Sequence, residues 1–485
     1  MPPSNPHHER RWAILAILGI AQLMVVLDAT IVNIALPSAQ RALHFSNDNR
    51  QWIVTAYSLA FGSLLLLGGK ISDLFGRKWT FIVGLGGFAL ASAVGGAAQS
   101  FGMLAAARAF QGAFGALLAP AALSLLTTTF TETSERNRAF GIYGAIAGSG
   151  ASIGLLLGGA LTQYLNWRFS MYVNSVFAVL AISGAVALLH NDAPATRPRV
   201  DIPGTAAVSG GLFALVYGFS HAQTTSWTNP VTVAVLGAGI AALAVFVAIE
   251  RRSPHPLLPL RVVADRNRGA SYISMGLASA AMFGVFLFLT YYLQVTRGYS
   301  PVRTGLAFLP MTGVIMMTAV VATTRLRGIL GPRPLVVAGM ALGAVGMLLL
   351  RGIGLHSGYA GAILPALLAM GAGLGLVFST AMNSATLGVA PHDAGVASAT
   401  VNASQQVGGS LGTALLSTLA ASATTSFLAG QRPTPALIAH AAVHGYTTAF
   451  AVSAGIFAVA AVIAGLLFGG KAEQPAAVGE VVPVA

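Results

Sequence analysis

The chain has 485 residues, of which 55% are hydrophobic and only 8% are Asp, Glu, Lys or Arg, with a formal net charge of +13. Soluble domains carry roughly 25% charged residues, so composition excludes a water-soluble globule, and it excludes intrinsic disorder because disorder needs low hydrophobicity. With no Cys in the chain, disulfide scaffolds, thiolate metal sites and cysteine nucleophiles are excluded together.

What remains is an all-α integral membrane protein. A bilayer core takes about 20 apolar residues per helix. That ruler predicts spans near 12–37, 52–71, 80–98, 103–126, 139–161, 168–189 and 204–222. Further spans follow near 230–250, 269–293, 304–324, 335–353, 361–385, 395–420 and 445–468, which makes fourteen. The first is not a signal peptide, because it carries Asp28 and Asn33 and lacks a small-residue cleavage site. Polar, Pro-rich residues 190–203 read as a linker, and 250–268 form a second long basic connection. The expected layout is a six-helix bundle over 1–190, a linker and inserted helix pair with its cytoplasmic connection over 191–268, and a second six-helix bundle over 269–470. A disordered cytoplasmic tail over 471–485 completes it.

With the N-terminus inside, basic residues in the connections divide 18 to 7 in favour of the cytoplasmic side. That split predicts a multi-pass protein with both termini cytoplasmic. The excess charge is therefore topological, and anionic membrane lipids are the partner it implies. No basic run with interleaved aromatics occurs, so no nucleic-acid partner is expected.

Of the 13 acids, only Asp28 falls well inside a predicted span, and an ionisable group there is by default a functional candidate. Asp28 lies nine residues before Pro37, about 14 Å below the outer end of its helix. Arg108, inside the fourth span, lies about 8 Å below the same end. The depths differ by about 6 Å, within reach of an Arg side chain, which allows the two to pair, directly or through water. Other embedded polar groups are Gln22, Asn33, Gln111, Asn174, Tyr291, Asn383, Gln405 and Gln406. Together with many Phe, Met and Leu they are candidate lining residues for an apolar cavity with few polar anchors.

An internal repeat links the halves. Gly154 and Gly158 in the fifth span recur as Gly408 and Gly412 in the thirteenth, each Gly-x-x-x-Gly followed by Ala-Leu, at an offset of 254 residues. Small residues at this spacing let helix backbones touch, and two parallel six-helix repeats are a known membrane-protein plan. Enzyme signatures do not hold up. Gly150-Ala-Ser152-Ile-Gly154 sits in an apolar helix with no strand before it, and no phosphate-binding Gly-x-x-x-x-Gly-Lys-[Ser/Thr] occurs. No cofactor, metal site or enzymatic activity is expected.

The loop after the second span reads Gly69-Lys-Ile-Ser-Asp73-Leu-Phe-Gly76-Arg77-Lys78. It resembles the signature loop of the major facilitator superfamily, with Ile71 in place of the usual Leu and Leu74 in place of the usual Arg. Leu27-Asp28 through Pro37 resembles the first-helix motif of the fourteen-helix drug:proton antiporter family (EmrB/QacA type). Arg108-Ala-Phe-Gln111-Gly112 resembles that family's fourth-helix motif, and Gly144 to Gly159 its antiporter motif, with Leu155 where a Pro commonly follows Gly. The second-half loop, Thr324 to Arg333, is degenerate and has lost its acid. The resemblance implies two pseudo-symmetric six-helix bundles plus an inserted pair, in a bacterial inner membrane. It further implies proton-coupled multidrug efflux by alternating access, with small hydrophobic or cationic substrates and protons as partners. Asp28 and Arg108 are the proton-coupling candidates, and Gly69, Asp73, Gly76, Arg77 and Lys78 a conformational gate, with Arg136 or Arg138 as further latch candidates. An exporter dedicated to one specialised metabolite, lipid or peptide is the alternative with the same fold. A passive channel or a membrane sensor is a different class.

Overall fold

The computed structural model describes residues 10–469 except 47–48, 131, 191–200, 254–255, 259, 388, 390–393 and 433. The expected tail at 471–485 and most of the expected linker lie outside the described residues. Within them all regular structure is helical. The first part of the chain forms α1 (Arg11–Leu43), α2 (Arg50–Phe75), α3 (Arg77–Gly96), α4 (Phe101–Thr129), α5 (Thr133–Ala160) and α6 (Phe169–Leu188). Then come α7 (Ile202–Thr224), α8 (Pro230–Arg252) and the short α9 (Leu260–Val263). The last part forms α10 (Arg266–Tyr291), α11 (Pro301–Val321), the short α12 (Arg327–Leu330), α13 (Pro332–Arg351), α14 (Leu364–Thr386), α15 (Ala394–Leu428) and α16 (Pro435–Leu467). Among the described residues, twelve helices are long and apolar enough to cross a membrane, against the fourteen spans predicted; α2 and α5 are not among the twelve.

Local sequence sets the helix ends. Asn229-Pro230, Ser300-Pro301 and Thr434-Pro435 each place a capping side chain before a Pro that needs no hydrogen-bond acceptor in the first turn. Pro37 does not end its helix as the span prediction assumed: α1 continues to Leu43 with Pro37 inside it. A Pro removes one donor from the helical ladder. Here the carbonyl left without its ladder donor is that of Asn33; next to it, the carbonyl of Ile34 accepts from the side chain of Gln294, in the turn that follows α10, at 3.0 Å.

Helices α1–α6 pack into one bundle and α10–α16 into another, while the α7–α8 hairpin lies against α2 and α15. The two bundles repeat the same close contact. On α5, Gly154 faces the backbone of Leu27 and Gly158 that of Ile31 in α1; on α15, Gly408 faces Gly276 and Gly412 faces Ala280 in α10. A Cβ at any of the four would run into its neighbour, so the glycines set the helix spacing. In this register Leu277 stands where Asp28 stands in the first half. The loops also match. Gly76 closes α2 with φ 90° and Gly331 closes α12 with φ 72°, each donating its N–H to the carbonyl four residues back. The second-half loop has lost the acid but kept the turn.

We call the end that carries the start of α1 and the Gly76 and Gly331 turns the near face, and the opposite end the far face. Toward the far face the first bundle's Ile34, Leu36, Phe45, Ile53 and Trp167 share one buried cluster with Phe288, Phe308 and Phe450 of the second. Toward the near face its Leu15, Phe81, Leu126 and Phe130 form a separate cluster. Among the described residues the largest shared core lies toward the far face, and a smaller one joins Leu59 of α2 to Ala414 of α15 beside the α7–α8 hairpin.

Candidate functional site

Asp28 is 0% exposed in the middle of α1, and Arg108 of α4 is 1% exposed beside it. Arg108 Nη1 donates to Asp28 Oδ2 at 2.5 Å. The other carboxylate oxygen accepts from Gln111 Nε2 at 3.0 Å and from Asn174 Nδ2 at 2.7 Å. Helical spacing explains the pair on α4: Arg108 and Gln111 are three apart and share a face, and Arg108 Nη1 also donates to Gln111 Oε1 at 2.9 Å.

The shell around the pair is as well defined. Arg108 Nε donates to the carbonyl of Ile53 on α2 at 3.0 Å, and the guanidinium lies 4.4 Å from the centre of the Tyr57 ring. Asn174 also donates to Ser92 Oγ at 2.9 Å, and that hydroxyl donates to the carbonyl of Met171 at 2.7 Å. Five helices of the first bundle therefore converge on one neutral cluster. A buried ion pair is tolerable only when its remaining donors and acceptors are met, and here the carboxylate takes three hydrogen bonds. On its far side lies an apolar cavity of about 10 Å³, lined by Val32, Ala35, Leu36, Ile53, Leu104, Met171 and neighbours. Ser170 also lines it, and its space is about that of one water.

The other predicted residues disperse. Gln111 and Asn174, expected in a substrate cavity, point their amides at Asp28. Gln22 is half-buried and accepts from the Tyr143 hydroxyl at 2.7 Å. Asn33 and Asn383 bond back to Ala29 and Ser379 on their own helices. Gln405 and Gln406 are half-buried on α15, the latter packed against Gly62 of α2. Tyr291 sits at the far face, donating to Gln40 Oε1 at 2.5 Å. Of the loop residues, Gly69 packs against Pro120, and Lys78 donates to the carbonyl of Leu189 at 2.6 Å, at the end of α6. Arg138 stacks over Trp12, 5.2 Å from its ring centre. Arg77 is half-buried, while the Asp73 side chain lies outside the described residues.

A second set of polar residues, absent from the sequence reading, joins the bundles at the far face. Gln40 meets Tyr291, Gln294 meets the Ile34 carbonyl, and Gln163 accepts from the Val302 N–H at 3.2 Å. Gln163 and Gln294 both lie on π-helical turns, Leu161–Leu165 and Tyr292–Thr296, that extend α5 and α10. Arg50, 8% exposed at the start of α2, stacks over Tyr291, Phe288 and Tyr446 of the second bundle. Ser92 and Tyr57 were missed as well. All these residues read from sequence as span ends or ordinary helix positions, and only tertiary proximity distinguishes them.

Two opposed six-helix bundles with a buried charge cluster in one of them are the architecture of a membrane transporter. Comparison with known proteins agrees. The Major Facilitator Superfamily profile matches residues 18–413. The chain is 48% identical over 466 residues to the puromycin resistance protein pur8 of Streptomyces alboniger, covering 96% of this chain and 92% of that protein. It is 37% identical over 414 residues to the cephamycin export protein CmcT of Amycolatopsis lactamdurans, covering 85% of each. Among solved structures, a bacterial homologue of the human lysosomal transporter Spinster superposes with a TM-score of 0.66 at 14% identity, covering 94% of this chain and 96% of that one. The chain belongs to the Major Facilitator Superfamily, and several of its relatives are named for antibiotic resistance or export.

Proposed function

We propose that the chain is a proton-coupled antiporter that exports drug-like compounds by alternating access, in the fourteen-span arrangement of the drug:proton antiporter family. In this reading α2 and α5 complete the fourteen spans, and the bundles 1–190 and 269–470 rock about the connection 191–268. The near face is cytoplasmic, both termini lie there in the bacterial inner membrane, and anionic lipid contacts the basic connections. The arrangement described above is then the inward-facing form, with the far face closed.

The observation that carries this reading is the buried Asp28–Arg108 pair with Gln111 and Asn174 on the carboxylate. A carboxylate at the centre of a bundle is neutralised either by a guanidinium or by a proton. Movement of α4 against α1 exchanges one for the other, which couples the proton to the rocking of the bundle. The loop from Gly69 through Asp73, Gly76, Arg77 and Lys78 gates the near face when the far face opens, and Gln22, Gln405, Gln406 and Asn383 lie along the substrate path. Replacing Asp28 with Asn tests the reading. Efflux from vesicles driven by an imposed pH gradient should be lost, while substrate binding to the purified protein persists. Gradient-driven efflux at the wild-type rate in Asp28→Asn would overturn it.

A narrower substrate range has its own support. Several relatives are each named for one compound, among them puromycin, cephamycin, tetracenomycin C and lincomycin. Puromycin is the first substrate to test, and its competition with chemically unrelated dyes separates a dedicated exporter from a multidrug one.

A further inference from the structure

Arg50 occupies an unfavourable position for a cation. It is the first residue of α2, where the positive end of the helix dipole repels it, and it is 8% exposed, so water solvates it poorly. Its compensation comes from π faces. The guanidinium carbon lies 4.3 Å from the ring centre of Tyr291, 5.6 Å from that of Phe288 and 5.8 Å from that of Tyr446. Phe288 and Tyr446 also pack on each other, with ring centres 5.9 Å apart, so the rings form one box. Every wall of that box belongs to the second bundle, and its occupant belongs to the first.

We infer that the box formed by Phe288, Tyr291 and Tyr446 is an exit-side binding site for organic cations, which Arg50 fills while the far face is closed. Any motion that parts the bundles at the far face withdraws Arg50 and leaves three desolvated π faces open along the seam. Aromatic boxes bind delocalised and quaternary cations because the ring quadrupole replaces lost hydration. A cationic compound leaving by the far face is the ligand this chemistry selects. By filling the box it delays the return of Arg50 and holds the far face open. This inference rests on the alternating-access reading above, but not on the role of Asp28.

The test is equilibrium binding of tetraphenylphosphonium to the purified full-length protein at constant pH, with the neutral dye Nile red as control. Arg50→Ala vacates the box and should tighten tetraphenylphosphonium binding about tenfold, leaving Nile red unchanged. Adding Tyr446→Leu should return the affinity to the wild-type value, whereas adding Tyr446→Phe, which keeps the ring, should not. Unchanged affinity in folded Arg50→Ala protein overturns the proposal, and so does tightening that survives Tyr446→Leu. If Arg50→Ala does not fold, Arg50→Lys keeps the charge and loses the flat stacking surface. It should show the same order of affinities at smaller amplitude, and affinity equal to wild type there overturns the proposal. No pH gradient enters the measurement, so its failure leaves proton coupling to be judged separately by the Asp28→Asn efflux assay.

Discussion

At the scale of single residues, the Asp28 cluster is a set of mutual obligations rather than one special side chain. Removing Arg108 leaves a carboxylate in the bundle core with two amide donors and no cation. Breaking one side of a buried pair costs about 3–5 kcal/mol, and the alternative is for the carboxylate to take up a proton. The melting temperature of detergent-solubilised Arg108→Ala should therefore fall by the effect of about 3–5 kcal/mol. The double variant Asp28→Asn with Arg108→Gln, which leaves no buried charge, should recover part of that loss. A double variant as unstable as Arg108→Ala would show that the unpaired carboxylate is not the cause.

At the scale of helices and turns, the conserved geometry between halves matters more than the conserved letters. Gly76 adopts φ 90° with ψ 144°, a region that side chains resist at a cost of about 1–3 kcal/mol. Gly76→Ala should lower the melting temperature accordingly. Gly86→Ala on α3, where a Cβ meets nothing within 4 Å, should raise it slightly, by the helix propensity of up to about 1 kcal/mol. Equal effects of the two substitutions would remove the turn from the argument. The same contrast explains what sequence reading captured. Hydropathy located the helices because hydrocarbon imposes one length scale on all of them. Straight helices carry residue number into height, which puts Asp28 and Arg108 at one depth. Depth alone does not fix which lateral neighbours meet, so Gln111 and Asn174 were expected in a cavity and instead hold Asp28. Arg50, Gln163 and Gln294 fall just outside the predicted spans and drew no expectation, because partners on another bundle leave no trace in local pattern. Pro37 misled because a helix can run through a Pro at the loss of a single ladder hydrogen bond, as α1 does.

For the whole molecule, the continuous core toward the far face and the divided core toward the near face predict which end must yield first. The chain has no native Cys, so Gln163→Cys paired with Val302→Cys creates a single cross-linkable contact across the seam. Oxidation should abolish efflux and added reductant should restore it; efflux at full rate in the cross-linked protein would show that the far face need not part there. The composition of that seam carries one more consequence. Its described hydrogen bonds run between amides, a phenol and backbone groups, and its cation rests on aromatic rings. Contacts of this kind are little affected by mobile ions, whereas exposed ion pairs weaken within a Debye length of about 8 Å at physiological salt. A door hung on such fastenings shuts equally well in dilute and in briny surroundings.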